Sequence, residues 1–177
     1  MNPIYFKKYG IIQRFVDESD AEFILQLRKD AKLSRFLSKT DPDFKNQIEW
    51  IKCYKEREKK KLEYYFITVN EDGERFGVVR LYNIKENFFT AGSWLFKQNA
   101  PIHYSILSDI MNREFGFSVI GSDYCHFDVR KSNKPVIKYH NRFNPELIDE
   151  DDLNYYFRLS KENFEINKLK QLKLFGY

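Results

Sequence analysis

The chain has 177 residues, of which 42% are hydrophobic and 18% aromatic, and a formal charge of +4. That size and apolar content fit one folded domain spanning 1–177 and exclude a disordered or low-complexity chain; the charge is spread without a long basic block, so neither nucleic acid nor a polyanionic small molecule is demanded as partner. Cys53 and Cys125 lack disulfide or zinc spacing, Met1 to Gly10 holds no secretory leader, and no stretch approaches the roughly 20 apolar residues of a membrane span, so a cytoplasmic protein without a membrane partner is expected.

Ile11, Ile12, Phe15 and Val16 predict the first strand. Ser19 with Glu22 three residues on forms a capping box and predicts a helix from Ser19, with Ile24, Leu27 and Ala31 as its apolar stripe and Leu33, Phe36 and Leu37 extending or restarting it. After a turn at Ser38 to Asp41, Asp41-Pro42 opens a second helix buried through Phe44, Ile48 and Ile51, and the charged run Glu56 to Lys61 is its exposed end. From Glu63 the period becomes two. Tyr65, Ile67 and Val69 alternate with Tyr64, Phe66 and Thr68, Asn70-Glu71-Asp72-Gly73 is a turn, and Arg75 to Ile84 returns as the second arm of a hairpin. Gly77 marks a bulge or a close backbone approach. A further strand, from about Asn87 to Lys97, is interrupted at Gly92. Asn99-Ala100-Pro101 then begins a helix through Ile106, Ile110, Met111 and Phe115, ending near Gly116 or Gly121.

The stretch from Asp123 to Phe143 concentrates the candidate chemistry. Cys125, Phe127 and Val129 alternate with His126, Asp128 and Arg130 in a strand that ends near Arg130. Ser132 and Asn133 can cap the next helix and Pro135 suits its first turn, so Asn133 and His140 share one helical face about two turns apart. Glu146 to Ile148 and Leu153 to Leu159 make a closing pair of strands around the acidic turn Asp149 to Asp152, and Ser160 caps a last helix with Phe164, Leu169 and Leu172. The strand, helix, strand passage across residues 87–130 allows one parallel pair in an otherwise antiparallel sheet, and ligands favour the place where such neighbours diverge.

In this element order, and in N-K-P-V-I-K-Y-H-N-R-F after the fifth predicted strand, the sequence resembles the GNAT family of acyl-CoA-dependent N-acetyltransferases over nearly its whole length. Leu27-Arg28-Lys29-Asp30 and Gly77-Val78-Val79-Arg80-Leu81 are similar to the branch with ribosomal-protein and sugar-nucleotide acetyltransferases. The resemblance implies an α/β (α+β) GNAT fold: a mixed, mostly antiparallel sheet of about seven strands, helices on both faces, and a splayed parallel pair made by the fourth and fifth predicted strands. It implies acetyl-CoA as co-substrate, an amine as acceptor and no metal. Backbone groups of Trp94, Leu95 and Phe96 would hold the pantetheine arm, with an N–H there meeting the thioester oxygen. The pyrophosphate would lie on N–H groups of Ile102, His103, Tyr104 and Ser105; the family's glycine-rich turn is replaced by Gln98 to Ser105, which has no glycine and no donor at Pro101. The amide of Asn133 would bond the pantetheine, and the family's general-acid Tyr position falls on His140.

An acyl transfer must strip a proton from the amine and return one to the leaving thiolate, and imidazole serves either step near neutral pH. His140 is expected as the acid and Asp128 or His126 as the base, with Ser93 and Tyr139 as lesser candidates. Each also has a structural reading: His140 as a helical hydrogen-bonder, Asn133 as a cap, Asp128 as an ion-pair partner of Arg130, Trp94 and Phe96 as core. Asp149 to Asp152 reads as a solvated turn or as an attractor for a cationic amine. The three His residues share no ligand spacing, so no metal site is expected. Three functions follow: transfer to a primary amine by direct attack, the acceptor being a nucleotide-linked amino sugar or a protein N-terminus such as a ribosomal protein's; a GNAT-shaped binding module without catalysis, favoured by the glycine-free turn; and nucleic-acid binding, for which no basic-aromatic motif is present. A homodimer is the self-association to be checked.

Overall fold

A computed structural model describes residues 5–36 and 43–177. The strands are β1 (Tyr5–Lys8), β2 (Ile11–Phe15), β3 (Tyr64–Val69), β4 (Arg75–Tyr82), β5 (Phe88–Phe96), β6 (Tyr124–Arg130), β7 (Glu146–Glu150) and β8 (Asn154–Ser160). They form one mixed sheet in the order β1-β2-β3-β4-β5-β6-β8-β7, antiparallel throughout except between β5 and β6. The expected seven strands become eight. The addition is β1, four residues of Tyr-Phe-Lys-Lys on the sheet edge, too short and too charged to show an apolar alternation.

The helices are α1 (Ala21–Lys29), α2 (Ala31–Ser34), α3 (Phe44–Lys59), α4 (Ile102–Phe115), α5 (Lys134–His140) and α6 (Lys161–Lys173). Two cores explain which face each helix covers. Ala21, Ile24 and Leu27 of α1 with Ile51 and Tyr54 of α3 pack on Tyr65, Ile67, Val69 and Val78 on one side of the sheet. Leu107, Ile110 and Met111 of α4, Tyr139 of α5 and Phe164 and Leu172 of α6 pack on Phe66, Phe89, Cys125, Phe127 and Leu159 on the other. β3 alternates between these two cores rather than between core and water, so nearly every one of its residues is buried.

The first capping box lies earlier than the Ser19–Glu22 expectation. Asp17 and Asp20 form it around a 3-10 turn at Glu18–Asp20, and α1 begins at Ala21. Asp20 was needed elsewhere as well: its buried carboxylate takes Arg14 through two 2.7 Å bonds and Arg75 through a third, joining β2 to β4 beneath α1. The turn at Ser38 to Asp41, with Leu37 and the Asp41-Pro42 helix opening, lies outside the described residues. From Phe44 onward α3 is capped by Asp43, which accepts from the N–H groups of Lys45 and Asn46. Its charged end is less idle than expected, because Arg57 bonds the buried Glu63, which also holds Arg80.

Gly77 proves to serve a close approach beside a bulge. A Cβ there would lie 2.3 Å from the Phe96 ring and 2.5 Å from the Leu95 carbonyl oxygen, and the β3/β4 register shifts one step away, between Thr68 and Val69. Among the described residues no helix is long and apolar enough to cross a membrane.

Candidate active site

The parallel pair is closed at one end and open at the other. β5 and β6 pair at Phe88↔Tyr124, Phe89↔Cys125 and Thr90↔His126, and no farther. Beyond this point β6 stays with β8 up to Arg130↔Asn154, whereas β5 follows β4. The register of β4 on β5 shifts between Val78↔Leu95 and Arg80↔Gly92, so Ser93 and Trp94 stand against Val79 alone. This is a bulge, with Ser93 in the left-handed region at φ 50°. A bulge bends its strand and raises the local twist, which carries β5 away from β6. The interruption expected at Gly92 is therefore at Ser93-Trp94; Gly92 itself is in register.

A cavity of about 640 Å³ fills the gap and reaches both layers of the molecule. From the α1/α3 layer it is lined by Ile24, Arg28, Gln47, Trp50, Arg80 and Tyr82, together with Asp128 and Arg130 of β6. From the α4/α5 layer it is lined by Asp109, Arg113, Val136 and His140, and its rim carries Ser93, Trp94 and Asn133.

On the α4/α5 side the polar groups are dry and paired. Asp109 and Arg113, one turn apart on α4, are 3% and 1% exposed, and Nε of Arg113 meets both carboxylate oxygens at 3.1 and 3.0 Å. The Tyr139 hydroxyl donates to Asp109 at 2.8 Å. The Arg113 guanidinium lies 4.7 Å over the Phe127 ring, and its Nη2 is 3.2 Å from Nδ1 of His140. His140 is buried against Phe127, Tyr139 and Trp94. Burial first, and the neighbouring Arg113 cation second, hold its pKa well below that of an ordinary imidazole. An imidazolium, the form the expected general acid needs, is disfavoured where His140 stands.

On the α1/α3 side the groups are wetter. Asp128 is exposed to the cleft, yet the protein around it desolvates the carboxylate and raises its pKa, with Arg130 opposing. Asp128 in turn raises the Tyr82 hydroxyl, after burial. Arg80 lies over both the Trp50 and Tyr82 rings at 5.1 and 4.8 Å.

The other predicted site residues divide. Trp94, Asp128, Asn133 and His140 line the cavity, as does Ser93; Tyr139 stands one layer back. Asn133 makes no side-chain cap bond, so its amide is not committed to α5. His126 is not brought to the site. It lies in the last closed step of the parallel pair, stacked 4.3 Å from Phe88, and its pKa is lowered by burial and by Arg158. Leu95 is core and Phe96 covers Gly77; neither lines the cavity, although past Thr90 their strand has no β6 neighbour.

Ile102, His103, Tyr104 and Ser105 do not line the cavity but form the first turn of α4. Pro101 gives no side-chain cap, and Ile102 is 74% exposed. The Tyr104 N–H is spent on the Pro101 carbonyl at 2.9 Å, which narrows the expected four donors. The Trp94 indole N–H donates to the Ser105 carbonyl at 3.1 Å, so the bulge and the start of α4 are tied together. Sequence reasoning missed Asp109 and Arg113; their i,i+4 spacing looks like any surface ion pair on a helix. Among the described residues no cluster of three or more His, Cys, Asp or Glu side chains is arranged to hold a metal ion.

A sheet opened at its one parallel pair, with a bulge and an uncapped helix start beside the opening, is the architecture of an acetyltransferase. No protein-family model matches the sequence and no curated protein matches it. Among solved structures, the chain superposes on apo FdhC, a nucleotide-linked sugar GNAT, with a TM-score of 0.86 and 37% identity, covering 98% of this chain and 99% of that one. A ribosomal-protein-S5-alanine acetyltransferase from Vibrio fischeri matches with TM-score 0.77 and 13% identity over 91% and 98% of the two chains. A spermidine N-acetyltransferase from Vibrio cholerae, in complex with CoA and spermine, matches with TM-score 0.75 and 10% identity over 89% and 99%. The last two share the fold. The chain belongs to the GNAT family, and it is an N-acetyltransferase.

Proposed function

We propose that the protein transfers an acetyl group from acetyl-CoA to the primary amine of a nucleotide-linked amino sugar, by direct attack within a ternary complex. The observation that carries this reading is the cavity in the β5/β6 gap, lined from both layers: a thioester lying by Trp94 and Asn133 and an amine lying by Asp128 would meet inside it. The uncapped N–H groups of Ile102 and His103 at the start of α4, a 14-residue helix, suit the coenzyme's phosphates. The Ser93-Trp94 bulge suits the thioester oxygen, since a bulge frees backbone groups from the ladder. Asp128, with its raised pKa and open carboxylate, is the base that takes the amine proton.

The acceptor class rests on charge and on FdhC. Arg28, Arg80 and Arg130 line the α1/α3 side of the cavity with Asp128, a balance that, even with Arg80 also bonded to Glu63, suits a diphosphate-bearing acceptor and opposes a polyamine. Trp50 and Tyr82 add flat aromatic surface for a base or a sugar.

Two measurements test the proposal. Acetyl-CoA at a hundredfold excess over its Kd should stabilise the fold by about 2.7 kcal/mol, read as a rise in melting temperature. Thiol release should then be fast with nucleotide-linked amino sugars and slow with spermidine or a peptide bearing a free N-terminal alanine. No melting shift at millimolar coenzyme, or spermidine as the better acceptor, would overturn it.

A further inference from the structure

We propose that Arg113 is a positioning residue that fixes His140 as the neutral tautomer protonated on Nε2, so that His140 faces the reaction as an uncharged hydrogen-bond donor and not as an imidazolium acid. The inference rests on the reading of the β5/β6 gap as the thioester site, but its structural half stands without that reading.

The argument begins with what a guanidinium can do. Arginine keeps its proton and has five donors and no acceptor. At 3.2 Å from Nδ1 of His140, Nη2 of Arg113 must therefore donate, and Nδ1 must offer its lone pair. The ring proton is left on Nε2. Arg113 has no freedom to turn away: Nε is forked onto Asp109, the plane lies over Phe127, Nη1 is 3.6 Å from the Cys125 sulfur, and the residue is 1% exposed.

The groups around the imidazole agree. α4 offers Arg113, with Asp109 behind it engaged by both Arg113 and the Tyr139 hydroxyl, so no carboxylate reaches the ring to favour its cation. β6 offers Phe127 and Cys125, whose thiol burial pushes up to about 12 and so keeps neutral. β5 offers Trp94, and α5 itself offers Tyr139, whose hydroxyl burial raises far above its ordinary value. Beyond α5, Arg142 points away to Gln171.

Nε2 is the free end. It makes no hydrogen bond within the described protein, and the buried polar side-chain atoms that lack a partner are Asn112 Oδ1 and Ser122 Oγ. His140 lines the cavity, and with Nδ1 taken by Arg113, Nε2 is the ring nitrogen left for it.

The chemistry balances without an imidazolium. The amine nitrogen forms a bond to the thioester carbon, and its surplus proton goes to Asp128 and then to water. The carbon–sulfur bond breaks with its electron pair on sulfur. His140 Nε2–H donates a hydrogen bond to that thiolate, with the Arg113 charge behind the ring, and the thiol gains its proton from solvent on release.

Nitrogen-15 NMR of the histidine-labelled protein, without substrates, tests the tautomer. The His140 signal is assigned by its loss in His140→Gln. Nδ1 should show the shift of an unprotonated nitrogen and Nε2 that of a protonated one, unchanged from pH 8 to pH 5.5. A protonated Nδ1, or a His140 titration centred near 6.5, overturns the proposal. In Arg113→Met, checked for a cooperative melt, the two nitrogens should average or titrate; Arg113→Lys, which keeps a cationic donor, should restore the wild-type pattern. Persistence of the fixed tautomer in a folded Arg113→Met protein also overturns it. For the reaction, kcat should hold or rise from pH 6.5 to 8.5, and a fall across that range would reveal an imidazolium acid. Should acetyl-CoA fail to shift the melt, the acyl-transfer reading fails while the tautomer result stands.

Discussion

The two walls of the cleft carry similar side chains and use them in opposite ways. On the α1/α3 wall, Arg28, Arg80, Arg130 and Asp128 border the cavity with their side chains partly or fully exposed, although Arg80 is also held by Glu63. On the α4/α5 wall, Asp109 and Arg113 spend their charges on each other and on Tyr139 and His140 inside the core. The difference teaches that a charged residue beside a cavity is a recognition element when it is solvated and a scaffold element when it is dry. On the proposed reading, the wet wall selects what enters, and the dry wall fixes how the reacting groups stand.

That contrast can be broken by exchanging which property each substitution removes. Asp128→Asn on the wet wall should lower kcat by about 10²- to 10⁴-fold, the usual worth of a general base. Its unfolding midpoint in urea should stay near that of the wild type. Asp109→Ala on the dry wall should do the reverse first: leaving the Arg113 cation buried without its carboxylate should cost about 3–5 kcal/mol of stability in urea unfolding. Equal stability losses from the two substitutions would erase the distinction.

The histidines sharpen it by pH. The folded pKa of His140 lies well below the roughly 6.5 of an unfolded histidine. Between those values the unfolded chain binds the extra proton. The stability that His140 contributes is therefore fully present above about pH 6.5 and is lost as the pH falls toward the folded value. A melting temperature that declines from pH 7 to pH 5, with a shallower decline in His140→Gln, is expected; His126→Gln, outside the cleft, should alter the slope less. The smallest effect is at the bulge. Ser93→Gly should relieve left-handed strain and raise stability by about 1 kcal/mol.

Much of the scaffold was legible because its signals are local. The β3/β4 hairpin follows from the alternation across Asn70 to Gly73, β6 from Cys125 to Arg130, and α6 from the Ser160 cap, whose hydroxyl accepts from Asn163 N–H at 3.2 Å. Locality also explains what was misjudged. Ser19 and Glu22 have the capping-box spacing, but Asp17 and Asp20 have it too, and the buried pairing of Asp20 with Arg14 and Arg75 decided between them. His126 and Asp128 share a strand face in any reading; only the step at which β5 leaves β6 separates the stacked residue from the open one. His140 and Asn133 both line the cavity, as their helical spacing suggested, but the arginine bonded to Nδ1 of His140 stands 27 positions away on another helix. No spacing rule reaches that far.

The chain holds two tryptophans, and the cleft has assigned one to each wall. Trp50 stands among the arginines, between the guanidinium groups of Arg57 and Arg80, while Trp94 is tethered by its indole to Ser105 at the start of α4. The molecule thus carries its own pair of optical gauges. If coenzyme and acceptor lie as proposed, emission from the remaining indole in Trp50→Phe would follow occupancy of the coenzyme arm, and in Trp94→Phe that of the acceptor. The order in which the two partners arrive could be watched by their colour, with no dye attached.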